Sequence, residues 1–326
     1  MKLSVEQIRK IVVGAAYVEE IYGEVHFFRF TKEQAEAYKN YNADFYNKVF
    51  ATAGIRLEFV TDSKKMFLEV DVCKGSSRNY FCHAVYVNGE HIGDLASYET
   101  NTGVFSKEFE LGEGEKTVAV YFPWTVASKI INLSLDDGAT VIPVEKSCKM
   151  IQFGDSITHG YDAKAPAASY ASIVADALDA YSINKGIGGE IFFPALSEFK
   201  DDIEPDIITV AYGTNDWSKG DLERFETNSR KFFENLSSNY PNAKIFALAP
   251  IWRGNYDKSD RNYDFSHTAE HFKDIAKDIP NLHVIDCFDF VPHDPACFSP
   301  DILHPNDEGF SYYAEGVLKA IKESLN

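Results

Sequence analysis

Ser156 lies in the run Ile151-Gln152-Phe153-Gly154-Asp155-Ser156-Ile157-Thr158-His159-Gly160, just past a short apolar stretch and inside a glycine-bounded turn. An α/β protein exposes reactive groups there, at the carboxyl end of a strand and before a helix begins. Gly, Asp and Ser are also ordinary turn residues, so this turn gains meaning only from three later segments. Asn184-Lys185-Gly186-Ile187-Gly188-Gly189 follows the apolar Tyr181-Ser182-Ile183. Gly213-Thr214-Asn215-Asp216 follows a buried-strand pattern at 207–212, and Asp301-Ile302-Leu303-His304-Pro305 comes near the end. A serine hydroxyl is a poor nucleophile until a base takes its proton, and imidazole does so near neutral pH. Asp301, three residues before His304, can curl back to fix the tautomer and steady the imidazolium. A glycine N–H and an asparagine amide are suitable donors to a developing oxyanion.

These four blocks, each present once and in order, resemble the SGNH/GDSL hydrolase family. Gly-Asp-Ser-Ile matches the first block, Asn-x-Gly-x-Gly-Gly the second, Gly-Thr-Asn-Asp the third and Asp-x-x-His-Pro the last. The resemblance implies that Ser156 is the nucleophile and, through its backbone N–H, one oxyanion donor. Gly189 and Asn215 complete the oxyanion hole, with Gly188 as the alternative to Gly189. His304 is the base and Asp301 its orienter. No metal or other cofactor is implied. Ile157 stands where the family name has leucine, which changes no chemistry.

The chain has 326 residues, long for one domain and natural for two. Its 45% hydrophobic and 14% aromatic content suits a packed globular protein. The net charge of −18 is uneven: residues 1–147 carry 16 Lys+Arg against 21 Asp+Glu, and the rest 16 against 29. That balance argues against nucleic acid or another polyanion as substrate, because phosphate binding rests on cationic contacts, and no nucleic-acid partner is expected. Five scattered cysteines suit a reducing compartment better than a disulfide framework. The N-terminus carries charges where a signal peptide would be apolar, and no apolar run is long enough to span a membrane. The expected location is therefore cytoplasmic, with no membrane partner.

The elements that position the four blocks change character near residue 145. Before it, period-two runs at 55–60, 66–72, 81–87, 90–95, 103–111 and 116–122 read as strands. Asn88-Gly89 marks a tight hairpin, and a helix is expected at 32–40. This pattern predicts an antiparallel β-sandwich domain at 1–145, jelly-roll-like. After residue 147 strands alternate with amphipathic helices at 169–180, 221–239, 266–279 and 307–323. This predicts an α/β domain at 146–326, with a parallel sheet in a flavodoxin-like three-layer α/β/α arrangement. Strand ends are expected at Gly154, Gly186, Gly213, Pro250 and Phe290. The nucleophile, base and donors all lie after residue 147, so the chemistry is expected to be self-contained, with the sandwich free to help form the substrate cleft.

A β-sandwich ahead of such a domain is similar to carbohydrate esterase family 2 acetyl esterases, as are the stretches at 53–59 and 121–124. Some of those enzymes lack the acidic partner, whereas this chain keeps Asp301. The resemblance implies a serine esterase that removes small acyl groups, acetyl above all, from a carbohydrate. A lipase, lysophospholipase or thioesterase on the same fold is one alternative, and a glycan-binding protein with a vestigial hydrolase domain is another. Trp217 and Trp252 are candidates for stacking on a sugar face, against a core-filling role. Arg253 is either a substrate contact or a surface charge. His159 is a poorer base than His304 because it brings no carboxylate of its own. His267 and His271 have helical spacing without a zinc motif.

Overall fold

The structure, a computed structural model, describes residues 1–257 and 263–325. Alternation builds the N-terminal half. Strand Lys65–Lys74 buries Met66, Leu68, Val70 and Val72 and turns the residues between them outward, as expected of an antiparallel sheet with one face on a core. It lies in a sheet ordered Tyr17–Ile21, Glu24–Phe28, Val126–Leu135, Lys65–Lys74, Gly103–Glu110. The second sheet runs Val12–Val13, Arg56–Thr61, Lys116–Tyr121, Phe81–Val87, Glu90–Ser97, with Ile142–Pro143 beside Arg56–Thr61. Residues of both sheets share one apolar core, Leu57, Phe59, Val118 and Val120 meeting Val25, Leu68, Val70 and Leu133. Asn88 and Gly89 both take positive φ in the expected hairpin turn.

Strand Val126–Leu135 escapes the alternation rule. It pairs along the whole of Lys65–Lys74, but a bulge between Ile130 and Asn132 shifts its register. The buried set therefore changes from Val126, Ser128 and Ile130 to Leu133 and Leu135, which erases the period-two signal.

In the C-terminal half the strands are buried on both faces, and all pair in parallel. Taken in chain order, Cys148–Gly154, Ala180–Gly186, Ile207–Ala211, Lys244–Leu248 and Leu282–Ile285 lie in the order 2-1-3-4-5. The strands end at Gly154 and Gly186 as expected, but stop at Ala211, Leu248 and Ile285 before the other three expected positions. Helices Leu222–Asn239 and Thr268–Ala276 pack on one face of the sheet, and Tyr170–Ala177 and Asp307–Leu325 on the other. The helix expected at 169–180 is cut short because Asp179 takes φ 47 and Ala180 already pairs with Cys148. The one expected at 266–279 opens as the 3₁₀ turn Phe265–His267.

The N-terminal half also contributes helices Lys32–Tyr41 and Ala43–Val49, the first capped by a Thr31/Gln34 capping box. These do not pack with the sandwich core. Phe30, Tyr38 and Val49 join Ile151, Phe153 and Ile187 on the face of the parallel sheet. Arg29 is fully buried between the halves, its guanidinium donating to the carbonyls of Lys48, Ala51, Asn184 and Gly186. All five cysteines are free thiols. Among the described residues no helix is long and apolar enough to cross a membrane.

Candidate active site

Ser156 opens the short helix Ser156–His159 directly after strand Cys148–Gly154, with Asp155 as its N-cap. The turn is tight: a Cβ on Gly154 would lie 2.1 Å from Thr158 Oγ1, so only glycine fits. Asn184 ties the neighbouring strand end to this helix, its Nδ2 donating to Thr158 O at 2.6 Å. Ser156 is only 6% exposed, so it sits beneath the surface and not on an open turn.

Asp301 and His304 lie on the loop before helix Asp307–Leu325. The chain doubles back at Ile302, φ 50, and Asp301 Oδ1 accepts the N–H groups of Leu303 at 2.9 Å and His304 at 3.0 Å. Its Oδ2 lies 2.6 Å from His304 Nδ1. A carboxylate only accepts, so Nδ1 carries the proton and Nε2 is free to accept from Ser156 Oγ, 2.8 Å away. Partial burial alone would raise the Asp301 carboxyl. The bonds from the His304 ring and the two backbone N–H groups outweigh it and hold the group well below the usual carboxylate range. The relay Asp301–His304–Ser156 can therefore take the serine proton and support the resulting positive ring.

Gly189 takes φ 87, which favours glycine, in the turn after strand Ala180–Gly186. The Gly188 N–H is already committed to His159 Nδ1 at 3.3 Å, whereas the Gly189 N–H has no partner among the described residues. Asn215 lies on helix Thr214–Lys219 after the strand on the other side, and its Nδ2 donates to Glu190 O at 2.9 Å. An amide nitrogen has a second hydrogen to give.

Residues 153–311 match the model of the GDSL-like lipase/acylhydrolase family. The chain carries a GDSL-like lipase/acylhydrolase domain. No curated protein matches the chain. Solved structures similar to it include a salicylyl-acyltransferase from a tetracycline biosynthetic pathway, 21% identical over 96% of this chain and 94% of that one, TM-score 0.82. A GDSL-like lipase from Bacteroides ovatus is 19% identical over 100% and 98%, TM-score 0.79. A family two carbohydrate esterase from Clostridium thermocellum, in complex with cellohexaose, is 18% identical over 84% and 94%, TM-score 0.68. The family match supports an ester hydrolase.

Around the GDSL-like turn the structure adds groups that the four blocks do not contain. Asp162 Oδ2 lies 3.8 Å from His304 Nδ1, a second carboxylate beside the one at 2.6 Å. Arg78 of the N-terminal half pairs with Asp162 at 2.8 Å and lies over the Tyr161 ring, which stacks on His304 at 5.6 Å. Asp162, Asp301 and His304 bring ligand-type atoms within 4.8 Å of one another, with Arg78 already neutralising Asp162. His159 is buried and donates from Nε2 to Trp124 O at 2.9 Å. With Gly188 N–H on Nδ1, both ring nitrogens are used, and burial holds the ring well below its ordinary pKa. It bridges the two halves. Asp162 and Arg78 lie outside every block and Trp124 only in the stretch 121–124, so nothing in the sequence brings them to His304 and His159.

Of the two roles open to Trp217 and Trp252, stacking on a sugar or filling the core, the structure places both in the core. Trp217 is 1% exposed, donates to Tyr263 O and lies under the Arg253 guanidinium. Trp252 is 9% exposed, with one face stacked on His293 at 5.1 Å and its edge on Phe298. A tryptophan at a strand end is as useful to a core rim as to a ligand, and here the core has both. Arg253 is buried and donates to Thr214 O, Thr214 Oγ1 and Ser218 Oγ, so it anchors the helix that carries Asn215. His271 pairs with Glu226 at 2.8 Å, and His267 is exposed in the 3₁₀ turn.

Burial raises the Asp155 carboxyl to about 7 against the pull of the Ile157 N–H. The folded protein thus keeps a proton that the unfolded chain releases above the ordinary 3.8, and stability is lost as pH rises through that window. Asp155→Asn keeps the cap acceptor and removes the charge. The variant is expected to gain in Tm relative to the parent between pH 4 and 7, read by calorimetry at both ends. An unchanged difference would show that Asp155 does not titrate there. Asp301, held low, has the opposite sign and costs stability only as acid protonates it.

Proposed function

We propose that the protein is a serine esterase that hydrolyses small acyl esters, acetyl foremost, on a carbohydrate. The observation that carries this reading is the unbroken relay from Asp301 through His304 to Ser156, with bonds of 2.6 and 2.8 Å. Ser156 Oγ attacks the ester carbonyl carbon while His304 Nε2 takes its proton. Asp301 stabilises the imidazolium, and the backbone N–H groups of Ser156 and Gly189 with Asn215 Nδ2 receive the oxyanion. Collapse breaks the bond to the alcohol, which leaves with the proton from His304. Water then attacks the acyl-enzyme by the same route, releasing the acid and restoring Ser156.

One comparison supports a short acyl group. Folds similar to this one also include an acetyl xylan esterase from the rumen bacterium Butyrivibrio proteoclasticus. The domain boundary near residue 145 is likewise part of this reading, with helices 32–49 serving the hydrolase side.

The test compares p-nitrophenyl acetate with the octanoate, followed by acetate release from acetylated oligosaccharides. Preference for acetate and release from the sugar support the reading. Preference for octanoate would make the protein a lipase, and no turnover of either would favour binding without catalysis.

Asp301→Asn is expected to cost less than the ~10⁴ typical of such a change, because Asp162 is near enough to take over His304 Nδ1. Adding Asp162→Asn is expected to bring kcat/KM down to the level of His304→Ala. If Asp301→Asn alone already equals His304→Ala, Asp162 is no substitute.

A further inference from the structure

Glu190 follows Gly189 directly and is fully buried. Its Oε1 accepts from the hydroxyl of Tyr38, on helix Lys32–Tyr41, and its Oε2 from the hydroxyl of Tyr212 at 2.8 Å. Tyr212 lies three residues before Asn215. The main chain closes a circuit: Glu190 O accepts from Asn215 Nδ2 at 2.9 Å, and Glu190 N–H donates to Ile187 O at 3.1 Å. Beside it, Lys48 Nζ donates to Gly188 O at 2.8 Å.

Sheet order explains why such a circuit is needed. The loop carrying Gly189 follows one neighbour of strand Cys148–Gly154, and the loop carrying Asn215 follows the other. The strand that presents Ser156 lies between them, so no ladder hydrogen bonds fix one loop against the other. Oxyanion donors must sit about 2.7–3.1 Å from the position the oxyanion takes, which leaves each a tolerance of only a few tenths of an ångström. Glu190 joins the two loops across the end of strand Cys148–Gly154, by its carbonyl to Asn215 and by its carboxyl to Tyr212. A fully buried carboxyl is a costly way to fill space. Burial pushes this one well above the usual carboxylate range against the pull of the two tyrosines.

We propose that Glu190 is a positioning residue that fixes the Gly189 N–H and Asn215 Nδ2 relative to each other, and that Tyr38 is the N-terminal half's hold on this pair. The inference rests on the reading of Gly189 and Asn215 as oxyanion donors. Tyr38→Phe removes one hydroxyl, and Glu190→Gln keeps the shape while replacing one of the two oxygens that accept from Tyr38 and Tyr212 with an amide NH2, which cannot accept.

With p-nitrophenyl acetate as probe, Tyr38→Phe is expected to lower kcat roughly tenfold with KM unchanged, the mark of displaced transition-state donors. Glu190→Gln is expected to lower it further. Asn215→Ala alone is expected to cost about 10²–10³ in kcat. Added to Asn215→Ala, Tyr38→Phe should cost less than in the parent, because one of the donors it helps to hold is gone. A folded Tyr38→Phe variant with the parent's kcat overturns the proposal, as does the same fold-loss in both backgrounds. Wild-type kcat in Asn215→Ala would instead remove the oxyanion reading itself, and that single variant separates the two failures. If Glu190→Gln fails to fold, Tyr38→Phe decides alone.

Discussion

Ser156→Ala is expected to lower ester turnover by about 10⁴–10⁶ while leaving the protein folded, by comparison with nucleophile losses in other serine hydrolases. The hydroxyl is the one atom in the relay that bonds to substrate, and the remaining donors and base cannot replace it. Stability changes little. The variant loses one hydrogen bond, and the His304 side chain, 12% exposed, can turn its freed nitrogen to water. The net cost of such a bond is about 1 kcal/mol. Hydrolysis of p-nitrophenyl acetate measured beside a melting curve reads both effects. A variant that keeps the parent's rate would mean a different nucleophile.

A fragment beginning at Val144 is expected to lose activity even on p-nitrophenyl acetate and to be poorly soluble. This reverses the expectation from sequence that the chemistry is self-contained after residue 147. The relay and donors do lie in that part, but their supports do not. Removing the N-terminal half strips Arg29 from the carbonyls of Asn184 and Gly186, Lys48 from Gly188 and Tyr38 from Glu190. It takes away the Trp124 carbonyl that holds His159. It also uncovers the sheet face on which Phe30, Tyr38 and Val49 pack, and it leaves Asp176 without its partners Arg56 and Tyr121. Exposed apolar surface of that kind invites aggregation, and a loop without its hydrogen bonds does not hold a donor in place. A soluble fragment with the full chain's kcat on the small ester would show that these contacts are dispensable.

The sequence made the relay legible because its members carry their own local logic. Asp301 and His304 are three residues apart and meet through a turn, so spacing alone brings carboxylate and imidazole together. Gly154 is dictated by the 2.1 Å approach of Thr158, and glycine before such a turn is visible in any reading. The choice between Gly188 and Gly189 was not legible. It turns on which N–H another residue already occupies, and His159, the occupant of Gly188, is distant in sequence. The role of Trp217 and Trp252 stayed open for a related reason: an aromatic near a motif shows its proximity in the chain but not which face is covered. Burial by Arg253 and His293 is a fact of packing.

By itself, then, the chain determined what is local or periodic. That includes the strand–helix alternation after residue 147, the Asn88-Gly89 hairpin, the four blocks and the pairing of His304 with Asp301. Only the tertiary structure decided which residues surround those blocks. Helices Lys32–Tyr41 and Ala43–Val49 pack on the parallel sheet and not on the sandwich they interrupt. Asp162 and Arg78 come to His304, and Glu190 joins Gly189 to Asn215 across the end of strand Cys148–Gly154. The physical reason is the same in each case. Backbone periodicity fixes which face a residue occupies, whereas the partner that fills a buried polar group's hydrogen bonds is chosen by the packing of segments far apart in the chain.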